Sequence, residues 1–488
     1  MNTRIMKQRY KTYKSAKSDT NQKPATERKS DTGRKFPPEE RFPGKKRLSA
    51  DKKFDADKKF PAEKRYSADN KYSADDKYSS EEKVQAERKP SFAEIVLSRL
   101  PAVVNGQNRT PDIEPLARLD YAQELRIKNE ALATFWKQHR LAQKPEAIFP
   151  SPKKRHYRTT TKRRVIFRDG KFYLKFSENI HAYSQNDYSY SELEPEEHNA
   201  VYKFLLEKIN EPAYKLAGMN LNFIIIRGSY TEFSVIFNVH SLNASLVRKF
   251  KLLSEHLQKL ETRIISAFLY LDPTRSDYYL ENLRPKDQLN FKKLYGPDKL
   301  FISADGKKYS FYPTSFSQIN ESMIPVMLKA ATDMLSSGQD SRFIDLYCGY
   351  GLFTHYLASF FQESIGIEAE GLSVRSAQEN IPYFHHRNKV RFIAEKIDAS
   401  TITSTLPMVS KSEVFLLDPP RQGTAQGVIK SISQRAPVKV LHIFCGVDQI
   451  PPEVTQWTKN GYKVERIVPL DMFPGTPNLE VMILLKKK

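Results

Sequence analysis

Phe343-Ile344-Asp345-Leu346-Tyr347-Cys348-Gly349-Tyr350-Gly351-Leu352-Phe353 is the stretch that decides the fold. A short apolar run ends in an acidic residue and a two-glycine loop, then gives way to helix-forming residues. This arrangement lets backbone approach a ligand at a helix N-terminus. Comparable runs follow at Ser364–Glu368, Val390–Ile393, Val414–Asp418, Val438–Phe444, Val464–Val468 and Glu480–Leu485. Strand-like runs alternating with helical pieces predict an α/β, Rossmann-like, seven-stranded and mostly parallel sheet, with ligands at the carboxyl ends of its strands.

Glu368 closes the second run, 23 residues past Asp345, where a carboxylate can accept both ribose hydroxyls of a nucleoside cofactor. The loop lacks the third glycine of G-x-G-x-x-G, so S-adenosyl-L-methionine fits it better than a nicotinamide dinucleotide. Asp345, Tyr347, Gly349, Gly351 and Glu368 are therefore the expected cofactor contacts. Cys348 reads as a small buried loop residue. Asp398, after the third run, is either an adenine contact or a surface turn residue.

The fourth run ends in Asp418-Pro419-Pro420-Arg421-Gln422-Gly423. A rigid Pro-Pro after an acidic residue holds backbone and side chain where they can bond a flat base beside the cofactor. Arg421 stands where exocyclic-amine methyltransferases carry an aromatic residue, which argues against that reaction. Carbon 5 of uracil needs activation before it accepts a methyl group: a thiolate adds to carbon 6, and a base later removes the carbon 5 proton. Cys445, at the end of the fifth run, and Glu480, opening the last, supply a thiol and a carboxylate. Each has a plain alternative, an inert core cysteine and a strand-end surface charge.

Outside this region the chain is basic. It has 488 residues and a formal charge of +22, and its first hundred residues carry 27 Lys+Arg against 16 Asp+Glu, a net of +11. Such charge, with Lys153-Lys154-Arg155 and Lys162-Arg163-Arg164, points to a polyanionic partner such as a nucleic acid, with an anionic membrane surface as the competing partner. From Ser49 to Val84 a hexad repeats six times, from Ser-Ala-Asp-Lys-Lys-Phe to Ser-Ser-Glu-Glu-Lys-Val. One apolar residue per hexad lines no face, so residues 1–90 are expected as a disordered basic tail. Residues 91–150 read as a helical linker region, with helical spacing from Asp120 to Leu141. Residues 151–305 read as an α+β RNA-binding domain, and 306–488 as the catalytic domain. Two cysteines, no apolar run near the ~18 residues of a membrane span and no secretory leader predict a cytoplasmic protein in a reducing compartment.

Taken with Ser151-Pro152…Tyr157-Arg158, Ser315-Phe-Ser-Gln318-Ile-Asn320, Ile367-Glu368 and Asp471-Met-Phe-Pro-Gly-Thr…Glu480, these motifs resemble the RNA uracil-C5 methyltransferase family. Those S-adenosylmethionine-dependent enzymes make 5-methyluridine in 23S rRNA and in the tRNA T-loop. The resemblance covers residues 115–488. It implies Cys445 as nucleophile and Glu480 as carbon 5 base, with Gln318, Tyr347, Glu368 and Asp418 at the cofactor and target uracil; Gln318, Asp418 and Arg421 form the expected substrate contacts. Three departures stand out. Gly446-Val447 follow the nucleophile where the family has Asn-Pro, Leu352 replaces a small or polar loop residue, and no cysteine precedes Cys348, so no iron–sulfur cluster is expected. A TRAM-type barrel is not recognisable. Asp471-Met-Phe-Pro resembles the rRNA enzymes and the missing cysteines resemble the tRNA enzyme; rRNA is preferred over tRNA, with no obligate protein partner. Cytosine-C5 methylation is disfavoured because Arg421, not cysteine, follows Pro420. The reading from another class is a non-catalytic RNA-binding or ribosome-assembly factor retaining the fold.

Overall fold

The computed structural model describes residues 88–101, 114–176, 187–275, 291–336, 341–369, 371–384 and 389–488. The hexad repeats, and with them the expected tail up to residue 87, lie outside the described residues. The first described element, α1 (Phe92–Leu97), opens with a capping box: the Glu94 amide donates to the Ser91 hydroxyl, and the Ser91 amide to the Glu94 carboxylate at 2.7 Å. In α2 (Tyr121–Gln138), Asp120 caps the N-terminus by accepting from the Ala122 and Gln123 amides. Residues Ile127, Ala131, Leu132 and Phe135 recur at helical spacing and are buried.

A six-stranded sheet follows. β1 (Thr160–Arg168) and β2 (Lys171–Lys175) form a hairpin whose turn residues, Asp169 and Gly170, both have positive φ, as a two-residue turn between twisted strands requires. Then come α3 (Glu196–Asn210), α4 (Lys215–Asn220), β3 (Leu221–Gly228), β4 (Phe233–Val239), α5 (Ala244–Leu260), β5 (Ile264–Leu271) and β6 (Phe291–Tyr295). The order is β2-β1-β3-β4-β5-β6, antiparallel except for the β4–β5 pair, which α5 crosses. Leu205 of α3 and Phe250 and Leu253 of α5 pack on Ile224, Val235 and Phe237 of the sheet.

A hairpin, β7 (Leu300–Ala304) and β8 (Lys307–Phe311), and α6 (Ile324–Leu335) lead into the second sheet. Its elements are β9 (Ser341–Leu346), α7 (Leu352–Leu357), β10 (Glu363–Glu368), α8 (Leu372–Asn380), β11 (Val390–Ala394), α9 (Ala399–Ser404), β12 (Ser412–Leu417), α10 (Val428–Gln434), β13 (Lys439–Phe444), α11 (Ile450–Lys459), β14 (Tyr462–Leu470) and β15 (Glu480–Lys487). The order is β11-β10-β9-β12-β13-β15-β14, parallel through β13 and antiparallel for β15 and β14. All seven expected strands are present in this one sheet.

The central strands are apolar on both faces because both are covered. Phe343, Leu416, Leu441 and Met482 pack on α6, α7 and the β7–β8 hairpin. Ile344, Phe415, Val440 and Ile483 face the other way, onto α10, α11 and the early helices, including Phe92, Leu132 and Phe135. Helices α1 and α2 therefore share the core of the second sheet, and so does the β7–β8 hairpin.

Candidate active site

The glycine loop lies at the carboxyl end of β9. Asp345 is fully buried; its Oδ2 accepts from the Thr354 hydroxyl at 2.5 Å, and Oδ1 has no partner among the described residues. Burial pushes its carboxyl up to about 8, with Asp418 and Glu368 adding like charge. Tyr347 takes a left-handed backbone, φ 65°, a conformation most side chains avoid. Gly351, φ 84°, opens α7, and a methyl group there would strike His355 and Phe392 at 2.9 Å. A methyl group on Gly349 would meet nothing within 4 Å, so this turn faces open space. Glu368 braces the loop from β10: its Oε2 accepts the Gly349 amide at 2.9 Å and Oε1 the Ala369 amide at 2.8 Å. Each oxygen keeps a lone pair for another donor. Cys348 is buried, as expected of a small loop residue.

The second part of the site gathers at the ends of β12, β13 and β15. The Asp418 amide donates to the Leu346 carbonyl at 3.3 Å, which seats the start of the Pro-Pro loop beside the glycine loop. Burial and the Glu368 charge push the Asp418 carboxyl up to about 7. Cys445 follows β13, with its sulfur 3.9 Å from the Pro419 carbonyl. Its thiol is pushed up to about 12 by burial, then by Asp418 and Glu480, against the opposing charge of Arg421. Because β15 runs antiparallel to β13 with Phe444 opposite Val481, Glu480 starts its strand where β13 delivers Cys445. Glu480 is 3% exposed, and burial with the Asp418 charge raises its carboxyl well above the usual range. No cation pairs with it among the described residues.

The approach to Glu480 is held by a buried network. Asp471 accepts from Lys128 Nζ at 2.7 Å and from the Tyr121 hydroxyl at 2.9 Å. Lys128 also pairs with Glu124 at 2.9 Å, Glu124 accepts the Gly475 amide at 2.5 Å, and Arg155 meets Glu124 at 3.1 Å. Asn320 donates to the Met472 carbonyl at 3.1 Å, and the Tyr157 hydroxyl to the Pro474 carbonyl at 2.9 Å. The Ser151–Arg158, Ser315–Asn320 and Asp471–Thr476 motifs thus converge on one another. Gln318 is buried in the middle one, its carbonyl 3.5 Å from the Thr159 hydroxyl.

The structure therefore brings Asp345, Tyr347, Gly349, Gly351, Glu368, Asp418, Arg421, Cys445 and Glu480 to neighbouring strand ends, with Gln318 on a loop tied to the segment that leads into Glu480. Asp398 is elsewhere in role: half-buried, it caps α9 by accepting from Ser400 and Thr401. Glu124 and Lys128 escaped the sequence reading, since their i, i+4 spacing is equally that of a solvent-exposed pair.

As a set, these residues fit S-adenosyl-L-methionine. Buried carboxyls with an orphaned Asp345 oxygen suit a ligand bearing a sulfonium and an ammonium, Glu368 offers acceptors for a ribose, and the Gly349 turn leaves room.

Residues 120–488 match the family described as tRNA (Uracil-5-)-methyltransferase. Among curated proteins, the chain is 31% identical over 206 residues to the 23S rRNA (uracil(1939)-C(5))-methyltransferase RlmD of an Enterobacter species, covering 42% of this chain and 46% of that one. It is 25% identical over 279 residues to an RNA methyltransferase of Streptococcus mutans, covering 55% and 57%. The chain spans about half the length of the curated relatives it matches. Among solved structures, the Pyrococcus abyssi tRNA (uracil-54, C5)-methyltransferase in complex with S-adenosyl-L-homocysteine shares the fold, with TM-score 0.55 and 19% identity over 76% of this chain and 85% of that one.

Proposed function

Because the chain belongs to the tRNA (uracil-5-)-methyltransferase family, we propose that it methylates carbon 5 of a uridine in structured RNA, with 23S rRNA as substrate, through a covalent Cys445–uracil adduct. The observation that carries this reading is the pairing of β13 with β15, which delivers a thiol and a carboxyl to one point beside the glycine loop. When bound, S-adenosyl-L-methionine supplies the electrophilic methyl group.

The residues divide the remaining work. Cys445 loses its proton and adds to carbon 6, and the displaced electron pair moves onto the uracil carbonyl oxygen. That activates carbon 5 as the methyl acceptor. Glu480, as carboxylate, then removes the carbon 5 proton; the electron pair restores the ring double bond and expels the Cys445 thiolate. Asp418 and Gln318 orient the base, Arg421 faces the nucleic acid, and Asp345, Tyr347, Gly349, Gly351 and Glu368 hold the donor. We assign RNA recognition to residues 151–305, where β1 carries Lys162 and Arg164. The Asp471-Met-Phe-Pro474 segment and the likeness to the Enterobacter enzyme support rRNA over tRNA.

Incubating the purified chain with S-adenosyl-L-methionine and either 23S rRNA or tRNA transcripts, then measuring nucleosides by mass spectrometry, tests the reading. 5-Methyluridine in rRNA is expected; its appearance only in tRNA would move the substrate, and its absence from both would favour a non-catalytic RNA-binding factor. Glu480→Gln is expected to accumulate a protein–RNA adduct that survives denaturing gels.

A further inference from the structure

Behind the Pro-Pro loop lies a chain of buried polar groups that the mechanism above does not use. Trp457 of α11 donates its indole N–H to His442 Nδ1 at 3.1 Å. An indole nitrogen is only a donor, so His442 must accept at Nδ1 and, when neutral, carry its proton on Nε2. His442 Nε2 lies 3.2 Å from Glu453 Oε2 without a hydrogen bond between them, and neither atom has a hydrogen-bond partner among the described residues. The other Glu453 oxygen, Oε1, accepts the Thr424 amide at 2.8 Å. All three side chains are buried.

These contacts reach the reacting groups from two directions. Thr424 belongs to the loop that begins with Asp418 and carries Arg421, and Pro419 in that loop presents its carbonyl to the Cys445 sulfur. His442 precedes Cys445 on β13 and stacks on Phe444, with ring centroids 4.0 Å apart. Gly423, φ 81°, turns the loop over the Glu453 carboxylate so closely that any side chain there would collide with Oε1. Surface loops ordinarily satisfy their amides with water; this one is pinned to a buried carboxylate.

We infer that Glu453, buried beside His442 and bonded to the Thr424 amide, is a positioning residue that fixes the Asp418–Ala425 loop against Cys445. The inference rests on the proposed methyl transfer for its consequence, although not for its geometry. The Thr424 amide donates to Glu453 Oε1, and His442 Nε2 stands 3.2 Å from Oε2. Glu453→Gln keeps the side-chain volume but replaces one oxygen with an amide donor, so it must set that donor against either the Thr424 N–H or His442 Nε2.

The test compares wild type, Glu453→Gln and Gly423→Ala in the full chain. The second variant disturbs the same contact from the exposed side of the loop, so it remains informative if the first fails to fold. In both variants kcat is expected to fall at least about ten-fold, as misplacement by about 1 Å does at reacting groups, while KM for S-adenosyl-L-methionine changes by less than about two-fold. Amide hydrogen exchange in residues 419–426 should accelerate at least about ten-fold. Iodoacetamide labelling of Cys445, followed by peptide mass spectrometry, should shift to higher pH as Arg421 is released. Wild-type kcat in both variants, or unchanged exchange in the loop, would overturn the inference. If the wild-type chain makes no 5-methyluridine, the proposed function fails, yet exchange and labelling still decide whether Glu453 holds the loop.

Discussion

Two buried acidic clusters lie on the same route through the molecule, and they are treated in opposite ways. Glu124 and Asp471 meet Lys128 and Arg155, so anions and cations are matched two for two. Asp345, Glu368, Asp418 and Glu480 influence one another at the strand ends, and the opposing charge that bears on Cys445 there comes from the exposed Arg421. A matched cluster is a structural fastening. An unmatched one raises its own proton affinities and stands ready for a positive ligand, which separates a site from a brace without reference to any relative.

The sharpest separation is expected from Cys445→Ala, which should lower methyl transfer by at least about 10³-fold while leaving the thermal midpoint near that of wild type. The converse is Lys128→Met in the matched cluster. Removing one partner of a buried ion network costs about 3–5 kcal/mol, so urea unfolding should shift strongly to lower concentration.

Proton affinities give a third comparison. Asp345 is raised to about 8, so the native state holds a proton that the unfolded chain releases above about pH 4. Its stabilising contribution is present at low pH and lost as pH rises through about 8. Asp345→Asn should therefore be more stable than wild type at about pH 8.5, by about 1–3 kcal/mol, and equal to it near pH 4. For turnover the sign follows from Cys445 and Glu480, both pushed toward their protonated forms and both needing to lose a proton. The wild-type rate should climb from about pH 6 to about pH 9. The smallest effect belongs to a residue outside both clusters: Asp398→Ala should lower the thermal midpoint slightly by uncapping α9 and leave activity unchanged.

The second sheet was readable because its strands are buried on both faces and stand out as apolar runs; all seven appear where Phe343, Ser364, Val390, Val414, Val438, Val464 and Glu480 mark them. Their order was not. Nothing local announces that β15 pairs with β13 on one side and β14 on the other, since that depends on distant edges. The helical spacing from Asp120 to Leu141 was equally plain, and α2 occupies Tyr121–Gln138, but its destination on the second sheet was not visible. The candidate site followed the same rule. Residues inside motifs, from Asp345 to Glu480, could be named from the chain, whereas Lys128 finds Asp471 across 343 positions. Glu453 looked like any first-turn acid of a helix until the Gly423 turn placed an amide over it.

The insertion of β15 between β13 and β14, both of which precede it in the chain, makes the site depend on a non-local pairing. Without Glu480–Lys487 both neighbours would present unpaired backbone edges, and Cys445 would have no carboxyl opposite it, so the closing of the sheet and the assembly of the site are one event.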